Sequence, residues 1–402
     1  MIGRVVVIGA GHGGFQTAAS LRSLGFAGSV VLVGEETHLP YQRPPLSKSA
    51  LIERKRPEEL AFKDASFFER QRIDLRLGCR ATAIDVVARE VSLSSDENIP
   101  YDRLVLALGA QNLALPISGA SLPNVLSIRG HDEAKAAIEW LDRSRRVVVI
   151  GGGFIGLELA ASARMAGRDV TIVEAQDRLL KRSVRAEMSS YFLGLHRRHG
   201  VDVRLKAKVR RITGDALAEG LELEDGTVIP ADMIFVGVGI RPNDGLAAAS
   251  GLATADGILV DTCMRTSVPE IYAIGDCARF PAASGGTVRV ESVQNATDQA
   301  RTAAQAILGD QEPYRAVHWF WSEQFGLKLQ IAGLAGESDR IETRGESGTD
   351  KFTVLAFKDE RLVTAESVGM PAEHVRARQA LAAQFRDPQQ SALLQSTQEG
   401  LR

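Results

Sequence analysis

Residues 4–36, RVVVIGAGHGGFQTAASLRSLGFAGSVVLVGEE, decide the fold. Val5, Val6, Val7 and Ile8 form an apolar, β-branched run without polar alternation, as in a parallel strand covered on both faces. The run breaks at Gly9-x-Gly11-x-x-Gly14 and gives way to a helical stretch with Gly25 near its end. A second apolar strand, SVVLV, then leads to Glu35. Glycines at this spacing allow a tight turn and a close approach of backbone to a pyrophosphate, while the helix N-terminus offers free N–H groups and a partial positive charge. A carboxylate after the second strand accepts from a ribose hydroxyl.

The chain repeats the pattern. Residues 146–175, RVVVIGGGFIGLELAASARMAGRDVTIVEA, carry Gly151-x-Gly153-x-x-Gly156 and reach Glu174 after the second strand. An acid there favours the free 2′-OH of NAD and repels the 2′-phosphate of NADP. Arg178, Lys181 and Arg182 follow closely and either offset that preference or form a solvated face. The balance favours NAD. Two βαβ units imply two dinucleotide-binding domains.

Further segments fill in the plan. YDRLVLALGA (101–110), MIFVGVGIRPN (233–243) and EIYAIGDCARF (270–280) read as buried strands running into glycine. VDVRLKAKVRRI and LELEDGTVIP read as strands, the latter turning at Asp225-Gly226. Residues 291–308 read as a helix. Asp276 precedes an expected helix and is a candidate for its N-cap, for sugar-like hydroxyls, or for both. From Pro313 the character changes: WFWSEQF (319–325) holds two of the three tryptophans, three strands follow, and 371–386 reads as a helix. The tail DPQQSALLQSTQEGLR is polar and receives no structure. The expected fold class is α/β: two Rossmann-like dinucleotide-binding domains plus a C-terminal α+β domain. Residues 1–110 with 236–312 are assigned to a discontinuous first dinucleotide-binding domain, which the resemblance described below makes the FAD-binding one, 111–235 to the second, NAD-binding domain and 313–402 to the C-terminal domain.

Composition narrows the function classes. A chain of 402 residues exceeds one ordinary core. Its net charge of -2 provides no basic field for nucleic acid. No apolar run is long enough to span a bilayer, and the chain enters its first strand too early for a signal peptide, so a cytoplasmic location is expected. Cys79, Cys263 and Cys277 lie far apart without a CxxC, which argues against a disulfide framework, a metal site and a dithiol centre. The stretch LPYQRPPLSK (39–48) is stiffened by Pro44 and Pro45, which exclude a helix or central strand through it, and it presents Lys48.

The set GAGHGG, LPYQRPPLSK, LVLALGA, GGGFIGLELA, GVGIRPN, TSVPEIYAIGDCARF, ESVQNA and WFWSEQ resembles the FAD-dependent NADH:ferredoxin reductases of cytochrome P450 and dioxygenase systems, which are glutathione-reductase-like flavoproteins. The resemblance covers nearly the whole chain in order. It implies FAD at the N-terminal glycine motif, with contacts from Gly13, Glu35, Lys48, Ala81, Arg129, Asp276 and Val293, and NADH at the internal motif. Leu108 departs from the family's usual threonine but leaves Gly109 in place. It further implies that Lys48 approaches the isoalloxazine and pairs with Glu158, that Trp321 lines the flavin side of a docking face, and that Arg301 contacts an acidic [2Fe–2S] ferredoxin. Rubredoxin or monodehydroascorbate reductases share this machinery and stay open as alternatives. NADH oxidases and CoA-disulfide reductases want a cysteine near 39–48. A non-catalytic redox-signalling flavoprotein resembling apoptosis-inducing factor would want a basic surface and a targeting sequence.

Overall fold

The computed structural model describes residues 2–282, 285–346 and 348–384. Its first parallel sheet is ordered Ile271–Ala273, Arg103–Leu106, Arg4–Ile8, Ser29–Val33, Ile73–Arg76. The valines that suggested a doubly covered strand, Val5, Val6 and Val7, are fully buried, as are Leu104, Val105 and Leu106. The Ile271–Ala273 strand returns from beyond the second βαβ unit, so this sheet draws on both flanks of that unit.

The second parallel sheet is ordered Asp202–Arg204, Asp169–Val173, Arg146–Ile150, Met233–Val236, Val125–Leu126. Strand alternation divides its side chains between two cores. Val147 and Val149 pack with Met188, Phe192 and Leu195 of the helix Ala186–Arg198. Val148 and Ile150 pack with Leu221 and Ile229 of a three-stranded antiparallel sheet, Val209–Thr213, Gly220–Leu223 and Val228–Pro230. The strands Ala110–Asn112 and Ile240–Pro242 pair antiparallel where the chain passes between the two parallel sheets.

The C-terminal part is a five-stranded antiparallel sheet ordered Trp319–Gln324, Leu327–Gly333, Arg361–Val368, Phe352–Lys358, Arg340–Gly345, with a helix at Pro371–Gln384. The polar tail lies outside the described residues. Arg340–Gly345 carries little strand signature in the sequence because half of RIETRG is charged, and such residues suit an edge strand by discouraging further pairing. Two local expectations are corrected. LPYQRPPLSK does contain helix: Pro44–Ser47 form a short 3-10 turn, because proline is tolerated in a first turn where no N–H is needed. Asp276 is not a helix N-cap: it lies in the 3-10 turn Gly275–Cys277, a strand follows at Ala278–Pro281, and the later helix Val293–Ile307 is capped by Ser292.

Candidate active site where a proline loop, a glycine-loop helix and a C-terminal strand meet

The two glycine loops share one construction. Gly9 and Gly151 take φ of +106° and +109°, and a side chain on either would collide with the carbonyl of Ala107 or Gly237. A Cβ on Gly14 would strike the Gly9 carbonyl, and one on Gly156 the Gly151 carbonyl. These glycines are therefore fixed by packing within the protein. Gly153 has nothing within 4 Å of its would-be Cβ, and Gly11 meets only Arg43 Nε at 3.8 Å. The middle glycine of each loop thus faces open space at a helix N-terminus, as a pyrophosphate cradle requires.

Around the first loop the charges suit a dinucleotide. Ala10, Gly11, Glu35, Glu36, His38, Tyr41 and Arg43 line one cavity. Glu36 accepts from Tyr41 Oη at 2.5 Å and pairs with Arg43, whose Nη1 donates to Arg129 O at 2.8 Å. Glu35 instead pairs with Arg80, the residue before Ala81, which opens the strand Ala81–Asp85. Arg129 Nη2 lies 3.1 Å from Asp276 Oδ2. Val293 is the first residue of the helix Val293–Ile307, where backbone N–H groups lack intrahelical partners. Gly13 packs against Ile274 beside that helix. Burial, then Arg43 and Arg129, hold His12 down at about 4, so it is neutral near pH 7. The residues present fit FAD. Arg43 and Glu36 were not singled out from the sequence. Arg43 lies within LPYQRPPLSK and Glu36 directly follows Glu35, so both sit inside the marked segments without a motif of their own.

At the second loop, Glu174 accepts from Gly152 N at 2.6 Å and from Gln176 N at 2.7 Å, which sets the acid against the cradle. The nearby basic residues are partly occupied: Arg178 donates to Val184 O and Lys181 O, and Lys181 pairs with Asp177 at 3.1 Å.

The proline loop and the helix after the second glycine loop meet at Lys48 and Glu158. Lys48 Nζ lies 2.6 Å from Glu158 Oε2 and 3.0 Å from Pro44 O. Glu158 sits one helical turn past the second loop, on the helix Phe154–Met165, and is buried. Its Oε2 also accepts from Ser47 Oγ at 2.6 Å and its Oε1 from Ser322 Oγ at 2.7 Å. Ser162, another turn along, donates to Ser47 O at 2.7 Å. Phe154, a turn earlier, packs on Phe320 with ring centroids 4.6 Å apart. One i, i+4, i+8 stripe thus touches both the proline loop and the strand Trp319–Gln324. Trp321 stacks beside Trp319 at 5.5 Å, with Lys328 over its ring. Arg301 is exposed and pairs with Asp298 on its own helix at 2.6 Å. Asp298 lines a groove with Gln294, Arg315 and Arg378, and Arg378 covers the Trp319 ring.

A family model described as pyridine nucleotide-disulphide oxidoreductase matches residues 3–300, most of this geometry. The chain belongs to the pyridine nucleotide-disulphide oxidoreductase family. A second model, described as reductase C-terminal, matches residues 319–399. Rhodocoxin reductase of Rhodococcus erythropolis is 46% identical over 391 residues, covering 96% of this chain and 92% of that one. Among solved structures, the ferredoxin reductase for the CYP199A2 system from Rhodopseudomonas palustris aligns with a TM-score of 0.93 at 44% identity over 95% of each chain. The covalent putidaredoxin reductase–putidaredoxin complex aligns with a TM-score of 0.91 at 34% identity, covering 98% of this chain and 99% of that one. Cys79, Cys263 and Cys277 are free thiols far apart in sequence, and burial pushes the Cys277 thiol up to about 11. Among the described residues, His38, His131 and Asp132 bring possible metal-ligand atoms within 4.8 Å of one another, but His38 and Asp132 already form a hydrogen-bonded pair at 3.0 Å.

Proposed function

We infer that this chain is an FAD-dependent NADH:ferredoxin oxidoreductase serving a cytochrome P450 or dioxygenase. Its cofactors are FAD and NAD(H), and its partner is a [2Fe–2S] ferredoxin. FAD, when bound, takes a hydride from NADH and gives electrons up singly, which a one-electron carrier needs. Residues 1–110 with 236–312 would hold FAD, through Gly9, Gly11, Gly13, Gly14, Glu35, Lys48, Ala81, Arg129, Asp276 and Val293. Residues 111–235 would hold NADH, through Gly151, Gly153, Gly156 and Glu174. Residues 313–402 would supply a docking face with Trp321, beside Arg301. No helix among the described residues is long and apolar enough to cross a membrane. A cytoplasmic location fits three unpaired cysteines.

The observation that carries the reading is the Lys48–Glu158 contact at 2.6 Å, made between two segments that each follow a glycine loop. Two of the three Lys48 N–H bonds go to Glu158 and Pro44, which leaves one for the flavin. An ammonium fixed beside the ring stabilises negative charge arriving there, in a site shielded from water. Glu158 offsets the cost of burying that ammonium. The purified protein should be yellow, bleach with NADH, and reduce cytochrome c quickly only when a [2Fe–2S] ferredoxin is added. Lys48→Met should slow flavin reduction in stopped flow by roughly 100-fold while FAD content holds. An unchanged rate would overturn the role given to Lys48. Fast turnover with rubredoxin or monodehydroascorbate, and none with ferredoxin, would overturn the acceptor.

A further inference from the structure

The carboxylate of Glu158 ends a chain of hydrogen bonds that all point toward it. Its Oε1 has Ser322 Oγ at 2.7 Å. Gln324 Nε2 lies 3.1 Å from that same Oγ, and Gln324 Oε1 lies 2.8 Å from His196 Nε2. All four side chains are buried, with exposures of 2% for Glu158, 1% for Ser322 and Gln324, and 0% for His196. The directions follow from chemistry. An ionised carboxylate only accepts, so the Ser322 hydroxyl proton goes to Glu158. Ser322 Oγ must then accept from Gln324, which turns the amide nitrogen toward the serine and the amide oxygen toward the histidine. His196 must therefore donate from Nε2. Burial holds His196 down at about 4, consistent with a neutral ring that carries that single proton.

We propose that Ser322, backed by Gln324 and His196, is a positioning residue that orients the Glu158 carboxylate, and through it Lys48. The proposal rests on the reading that Lys48 serves the flavin. The torsion that turns a carboxylate about its last bond is broad, so the covalent chain does not choose which oxygen faces Lys48. With Ser322 holding Oε1, only Oε2 is left for Lys48 and Ser47. Without that hydroxyl, Oε1 loses its donor in a buried site, and the carboxylate gains by turning both oxygens to the ammonium. Lys48 would then be more fully neutralised and would stabilise charge on the flavin less. The segments involved are far apart: the proline loop, the helix after the second glycine loop, the helix Ala186–Arg198 and the C-terminal strand Trp319–Gln324. Ser322 and Gln324 are two residues apart on that strand, so they share a face. The C-terminal part of the chain then completes the reaction site in addition to offering a docking face.

The test uses FAD-loaded Ser322→Ala, Ser322→Thr and Lys48→Met, with the rate of flavin reduction by NADH and the flavin midpoint potential measured without NADH. Ser322→Ala is expected to reduce about tenfold more slowly, the effect of one hydrogen bond to a charged group. Its potential should be more negative by about 30 mV, the two-electron equivalent of tenfold. Ser322→Thr keeps the hydroxyl and should return both readings to within about twofold of the native value. A Ser322→Ala protein with native rate and native potential overturns the proposal if Lys48→Met is slow. If Lys48→Met is also native, the reading of Lys48 itself has failed. Should Ser322→Ala not retain FAD, Gln324→Met is measured the same way. It removes the donor behind Ser322 at similar volume, and native values on both readings would overturn the relay.

Discussion

Glu366 lies on the strand Arg361–Val368, is 1% exposed, and accepts the backbone N–H of Arg185 with both oxygens, at 2.9 and 3.0 Å. Burial pushes its carboxyl up to about 7, against the pull of Arg185 and Arg178 and with a push from Glu187. Its folded value is thus above its unfolded value of 4.5. Its contribution to stability is complete below the unfolded value and is lost as pH rises through the folded one. Glu366→Gln has no such loss. Its thermal midpoint relative to the native protein should rise between pH 5 and pH 8, by the equivalent of about 3 kcal/mol at most. A difference that stays flat across that range would contradict the assignment. At this scale the sequence was partly legible. Lys48 and Glu158 stood out through the family resemblance, whose motifs run through both segments. Ser47, Ser322 and His196 did not, since a serine or histidine gains its role here from partners more than 100 residues away.

At the scale of elements, the glycine loops were legible because their chemistry is local. A turn, a helix start and two apolar strands lie within about thirty residues, and each leaves its own mark on the sequence. The segments between Ser49 and Pro100 were not. They form helices of four to six residues, the short parallel strand Ile73–Arg76 and short antiparallel strands, too brief for periodicity to declare itself. The loops also separate packing glycines from ligand-facing ones, and substitution tells them apart. Gly156→Ala places a methyl group against the Gly151 carbonyl and should lower the melting temperature of the whole protein. Gly153→Ala meets no protein atom within 4 Å, so the fold and the bound FAD should survive. If the dinucleotide phosphates lie at this open side of the loop, the methyl group meets them, and the KM for NADH should rise roughly tenfold, about 1.4 kcal/mol of lost binding. A native KM in Gly153→Ala, measured by steady-state NADH oxidation with ferricyanide, would show that the pyrophosphate lies elsewhere.

Across the whole molecule, the C-terminal sheet faces in two directions. One face of its Trp strand reaches inward through Phe320, Ser322 and Gln324. The other carries Trp319, covered by Arg378, and Trp321, covered by Lys328; Arg378 also lines a groove with Asp298 and Arg315. Arg301 lies at the edge of this region, exposed and tied only loosely through Asp298, because a surface pair between residues of one helix turn is worth little. Its charge is therefore available to an acidic partner. Arg301→Glu should lower ferredoxin reduction about tenfold at low ionic strength, and the deficit should fade toward 0.5 M salt, where the Debye length is roughly 4 Å. The native enzyme should lose rate over the same salt range, and the variant should show a much flatter dependence. NADH oxidation with ferricyanide, a small acceptor needing no docking face, should be unchanged. If Arg301→Glu reduces ferredoxin at the native rate at every ionic strength, this arginine takes no part in docking.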